Sequence, residues 1–216
     1  MSKRNDDAVD ELYWLWRPRL TSDGGGAVLS DSPAALREAG IALDVGTRPA
    51  LPVPVPLRIA RKTSEPGHLD DCVRTYGKWA LLASPKLKAV LDRSRVDNID
   101  WYPLVIEDAI ESRDVAYWCG NVLGAVDCID RSRAVLDEYR MFRRMWIDPT
   151  LARGLPLFRI SQHELHLVAH RSVKQAIELD RCTGIEFVPA NGFCDLEAEP
   201  LPEQEDEDDK PYTPWC

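Results

Sequence analysis

The chain has 216 residues, 44% of them hydrophobic and 29% charged, with a formal net charge of −9. Such a length buries a sizeable core without a metal or disulfide staple, and the composition excludes collagenous, disordered and membrane-spanning classes. The acidity is local: residues 197–210 hold eight acids and one lysine, a sum of −7, leaving only −2 for the other 202 residues. The body therefore lacks the basic excess by which nucleic-acid binders hold phosphates.

Residues 1–11 are polar, and MSKRNDDAVDEL has no apolar run of the secretory type. No segment approaches the roughly 18 apolar residues of a membrane span. The expectation is a cytoplasmic protein that contacts no membrane. Cys72, Cys119, Cys128, Cys182, Cys194 and Cys216 show no CxxC spacing, so free thiols are expected rather than a disulfide framework or zinc site.

In chain order, Leu12–Trp16 has the aromatic composition of a strand, and Asp23–Gly26 reads as a turn. Ser32-Pro33 opens a helix with Ser32 as cap and Gly40 as stop. Leu51–Leu57 alternates with prolines that donate nothing to a ladder, which predicts an extended edge or connector. Trp79–Ala83 is a short apolar strand, and Ser84-Pro85 caps a helix that puts Leu87, Val90 and Leu91 on one face. Ile99–Ile106 and Val115–Cys119 follow as strands, with a further candidate at Val126–Ile129. The charged stretch 132–145 fits either a helix or a long strand. Pro156–Ile160 and Leu165–Ala169 predict paired strands, Ser172–Leu179 a helix with Ser172 as cap, and Ile185–Val188 a closing strand. Strands with a few short helices and no βαβ alternation predict an α+β fold with a mixed, mainly antiparallel sheet. Three segments are expected: 1–66 with the proline-rich connector, a core over 67–196, and an acidic tail over 197–216 whose composition suits a disordered segment.

Chemistry-bearing residues are present without a catalytic pattern. His163-Glu164-Leu165-His166 is not a zincin motif, because its fifth position is Leu167. On a helix, His163, His166 and His170 would share a face; the alternation of the segment predicts a strand, which splits His163 from His166. Glu107/Asp108 and Asp127/Asp130 are paired acids of the kind that usually cap turns. There is no GxSxG elbow and no P-loop. The reading is a protein with no catalytic residues, cofactor or metal; its rival is a metal- or ligand-binding enzyme using residues 117–132 with His163, His166 and His170. Of seven tryptophans, most are expected in the core and one or two as binding anchors.

A set of ordered motifs carries a resemblance. These are Leu69-Asp70-Asp71, Ser84–Lys88, Trp101–Ile106, Tyr117–Leu123, Val126–Ser132, Leu157–Ile160, Ser172–Glu178 and Thr183–Phe187. In order and spacing they resemble immunity family eleven of bacterial polymorphic toxin systems, the MXAN-type immunity proteins. The resemblance covers a little over half the chain, and the acidic tail lies outside it. It implies an antitoxin that binds a cognate effector, encoded beside it, by stoichiometric occlusion, with no catalytic residues to carry over. Its aromatic-then-Asn and Asp…Asp…Ser signals fall on Trp118, Asn121, Asp127, Asp130 and Ser132. Trp118, Asp127 and Asp130 are the candidate contacts in the body; Glu205, Asp206, Glu207, Asp208 and Asp209 are those of an acidic arm that would steer a basic partner.

Overall fold

The computed structural model describes residues 12–18, 26–29, 31–43, 46–65, 67–75, 81–138 and 141–195. In chain order run β1 (Tyr13–Pro18), β2 (Val28–Leu29), α1 (Ala34–Glu38), β3 (Leu57–Arg61), β4 (Cys72–Thr75), β5 (Leu81–Ala83) and α2 (Pro85–Arg93). Then come β6 (Ile99–Asp108), β7 (Arg113–Val122), β8 (Ala125–Val126), β9 (Val135–Leu136), β10 (Phe142–Arg144) and α3 (Pro149–Ala152). The last are β11 (Leu157–Ile160), β12 (His163–His170), α4 (Arg171–Leu179) and β13 (Ile185–Pro189).

Two sheets and a short ribbon organise these elements. The larger sheet has the order β2-β4-β5-β7-β6-β3, the smaller β13-β1-β12-β11-β8, and β9 pairs with β10. Most pairings are antiparallel, while β2·β4, β3·β6 and β8·β11 are parallel. This is the α+β architecture expected, with mixed, mainly antiparallel sheets. The longest ladder joins β6 to β7 over ten residue pairs, from Ile99↔Val122 to Asp108↔Arg113.

Burial follows the two-residue period of the strands. One core lies between the sheets: Trp16, Leu157, Leu167 and Ala169 of the smaller meet Leu81, Ala83, Ile99 and Val122 of the larger, with Leu87, Val90 and Leu91 of α2 and Val173 and Ile177 of α4. A second core packs the outer face of the smaller sheet against Phe142, Met145, Ile147 and Ala152. The third packs Leu36 and Leu43 against the far face of the larger sheet, where Leu29, Leu57, Leu104 and Ile106 lie. Helix α2 forms as its sequence predicts: the Ser84 hydroxyl accepts from Leu87 N–H at 3.1 Å, Pro85 sits in the first turn, and its three apolar residues are buried. Each of those burials contributes about 1.5–3 kcal/mol. Between the sheets, the Asn98 amide donates to Leu123 O and Leu157 O, both at 2.9 Å, joining the end of β7 to the start of β11.

Several local expectations are corrected. Helix α1 begins at Ala34 with Pro33 at the cap position and no side-chain cap, so Ser32 does not serve. The described residues of 132–145 hold neither a helix nor one long strand, only the short β9 and β10. At α4 the cap is His170, whose imidazole accepts from Ser172 N–H, so Ser172 is the capped residue. Val126–Ile129 yields only the two-residue β8 and a bridge from Ile129 to Ile147. The turn expected at Asp23–Gly26 and the strand start at Trp79-Ala80 lie largely outside the described residues, as does the whole acidic tail.

Candidate binding surface

The register of the larger sheet assembles an uncovered apolar face. Side chains alternate, so Trp101, Pro103 and Val105 of β6 share a side with Ala116 and Trp118 of β7, and with Arg58 and Ala60 of β3. Toward the Ile99 end this side enters the core beneath α2. Beyond α2 nothing among the described residues covers it: Pro103, Ala116, Ala60 and Arg58 are exposed, and Trp101, Val105 and Trp118 half-buried. The face exists because Gly120 stands opposite Trp101. A Cβ there would lie 2.6 Å from Trp101 Cζ3, so only glycine lets the indole lie across the neighbouring strand.

Lys88 of α2 organises the two indoles. Its ammonium lies 5.5 Å from the Trp101 ring centroid and 5.1 Å from that of Trp118, while donating to Asp92 at 2.7 Å. A cation shared between two rings holds both in place without filling the space above them. At the other end, Arg58 Nη1 pairs with Glu107 at 2.5 Å and Asp114 at 3.5 Å. A shallow depression of 390 Å³ opens there, lined by Ala60, Glu107, Asp108, Ser112, Arg113 and Asp114. Asp108 is committed to the fold: it pairs with buried Arg61 at 2.9 Å and accepts from Ile110 and Glu111 N–H. Burial pushes its carboxyl up, but those N–H groups and the guanidinium outweigh it and hold the pKa below the usual range.

The sequence-chosen residues are dispersed. Trp118 is on this face, whereas Asp127 and Asp130 follow β8 in the smaller sheet's connections. Asp127 takes hydrogen bonds from Arg131 and Gln162. Asp130 accepts from the Ser132 hydroxyl at 2.6 Å and its N–H at 2.9 Å, an Asx turn; the hydroxyl first, then the N–H, lower its pKa. Asn121 is buried and donates to Thr47 O at 2.8 Å. Glu205, Asp206, Glu207, Asp208 and Asp209 lie outside the described residues. Lys88, Trp101 and Gly120 were not chosen from sequence, though a bulky residue facing a glycine across a hairpin was the available signal.

The histidines form no common site. His163–His170 is a strand, so the helical spacing is lost, and the His163 side chain is outside the described set. His166 Nε2 meets Asp195 at 2.7 Å beneath the Phe193 ring, and His170 caps α4. Burial, then the charge of Arg171, lowers the His170 pKa. No group of three potential ligands capable of holding a metal occurs among the described residues. No described helix is long and apolar enough to cross a membrane. The five described cysteines are free thiols.

The chain belongs to the Immunity protein family (Imm11), whose model matches residues 8–192. That span extends the resemblance from 69–188 back to include β1, β2 and β3. No curated protein matches the chain.

Proposed function

We propose that this protein neutralises a cognate toxin in the cytoplasm by stoichiometric occlusion, without turnover, and that the Trp101–Trp118 sheet face is the contact. Family membership supports an immunity role and a toxin partner. The observation that carries the location is the uncovered apolar side of β6–β7, with two half-buried indoles placed by Lys88. Aromatic anchors of this kind supply most of the affinity at interfaces, because they exclude much water while losing little side-chain entropy. Asp127, Asp130 and the acids Glu205–Asp209 would add steering toward a basic partner rather than anchoring.

The test is co-expression with the toxin encoded beside the gene, followed by sizing and titration. A 1:1 complex and protection of the host are expected. Trp118→Ala is expected to weaken binding roughly 30-fold or more while leaving the thermal midpoint within a few degrees. A complex of unchanged affinity in both Trp118→Ala and Trp101→Ala would place the contact elsewhere.

A further inference from the structure

Strand β3 closes one edge of the larger sheet, and among the described residues no strand lies on its outer side. It runs parallel to β6 in unbroken register, from Leu57↔Leu104 to Arg61↔Asp108. Ala109 N–H donates to Arg61 O at 3.2 Å, so alternation assigns the N–H and C=O groups of Leu57, Ile59 and Arg61 to β6. Those of Arg58 and Ala60 project outward, on residues that are both exposed. Sheet edges are commonly blunted by a proline, a bulge or an unpaired charge. None interrupts this one: the register does not shift, and Arg58 is already paired with Glu107 and Asp114.

The residues flanking β3 select what this edge accepts. Consider a second copy laid antiparallel along it, related by a twofold axis normal to the sheet. Pairing Arg58 with Arg58 sets Ala60 opposite Pro56, which has no N–H to donate. Pairing Ala60 with Ala60 sets Arg58 opposite Lys62, whose N–H already goes to the Glu65 carboxylate at 2.9 Å and whose carbonyl accepts from Glu65 N–H at 3.0 Å. Pairing Arg58 with Ala60 completes every outward donor and acceptor of both residues, around facing Ile59 residues. That register also matches charge. Paired side chains share a face, so each Arg58 lies over the other copy's Ala60, which is too small to fill the acid-lined depression beside it. The other copy's Glu107 stands one strand further on, within reach of the guanidinium fork.

We infer that two copies of this chain pair through β3, Arg58 against Ala60, joining their six-stranded sheets into one. The contact is isologous: it uses the same edge of both copies and therefore stops at a dimer. The Trp101–Trp118 faces of the two copies come to the same side and stay open, so the inference does not depend on what those faces bind. A seam of five residues is small beside a stable interface, which makes the association weak, with a Kd on the order of 0.1 mM.

The test uses the full chain. In sedimentation from about 5 µM to about 1 mM, the weight-average mass is expected to rise toward twice the monomer value. In ¹⁵N-labelled chain over the same range, solvent exchange of the Arg58 and Ala60 amides is expected to slow several-fold, whereas the Leu57 and Ile59 amides are slow throughout. Ala60→Pro removes one donor per copy at an edge position that accepts proline, and is expected to weaken association at least about tenfold. Ala60→Lys sets a like charge against Arg58 and fills the depression; the same loss is expected, and it serves if the proline variant fails to fold. A mass that stays monomeric up to about 1 mM would overturn the inference. So would association that leaves exchange at Arg58 and Ala60 unchanged, which would assign the contact to another surface.

Discussion

Asp71 and Thr183, 112 residues apart, exchange hydrogen bonds in both directions. Asp71 N–H donates to the Thr183 hydroxyl at 3.1 Å, and Thr183 N–H donates to the Asp71 carboxylate at 3.0 Å. The same carboxylate accepts from the Ser84 hydroxyl at 2.6 Å and Lys86 Nζ at 3.0 Å. One acid thus ties the entry to β4, the start of α2 and the loop between α4 and β13. Removing it leaves the Thr183 N–H without its partner, and hydrogen bonds to charged groups contribute about 1.5–3 kcal/mol. Asp71→Ala is expected to lower unfolding stability by that amount in a urea titration. Asp127→Ala, at an exposed carboxylate, is expected to stay within about 0.5 kcal/mol.

Gly184 follows Thr183 and explains why the loop can approach β4. Its φ is +79°, and a Cβ would stand 2.2 Å from the Cys72 carbonyl oxygen. Gly192 has a similar φ of +85° with nothing within 4 Å of the added atom. Gly192→Ala is expected to cost about 1–2 kcal/mol, the backbone penalty alone. Gly184→Ala adds a clash with backbone and is expected to cost at least about 3 kcal/mol. Equal midpoints for the two variants in thermal melts would contradict the packing described.

Acid should unfold the protein through Asp71 and Asp108. Burial raises both carboxyls, but the bonds they accept, from Ser84, Thr183 and Lys86 and from Glu111, Ile110 and Arg61 respectively, bring both pKa values below the ordinary range. A folded pKa below the unfolded one gives stability that is full above about pH 4 and lost as pH falls through the folded value. Urea midpoints are therefore expected to fall below about pH 4, less steeply in Asp71→Asn. Asp108→Asn leaves the buried Arg61 guanidinium uncompensated, and a loss of about 3–5 kcal/mol at neutral pH is expected.

The thiols provide a check on burial. Cys72, Cys119 and Cys128 are buried, and burial pushes each pKa up to about 12. The thiolate is the reactive form, so these three are expected to resist an aromatic disulfide reagent at pH 8 until denaturant is added. Prompt labelling of Cys119 in the native protein, read by mass spectrometry, would contradict the burial of its side chain in the core on the far face of the larger sheet.

Periodicity made most elements legible: β1, α2, β6, β7, β11, β12, α4 and β13 fall where alternation, capping and proline placement put them. The misses share a cause. Stretch 132–145 carries charges at no clear period, and its backbone is set by long-range bonds such as Met145 N–H to Phe193 O. Ser172 looked like a cap because sequence cannot tell which of two adjacent polar groups faces the helix end. His170 takes that role because β12 delivers it to the first turn.

By itself the sequence determined the α+β class, the family, and the confinement of the acidity to one terminal segment, since each depends on local pattern and order along the chain. Tertiary structure alone decided which acids are structural, that His166 and His170 serve separate bonds, and that two tryptophans seventeen residues apart share one cation. The physical reason is register: the pairing of β6 with β7 sets Trp101 against Gly120 and Pro103 against Trp118. A shift by one residue would turn those side chains to the opposite face.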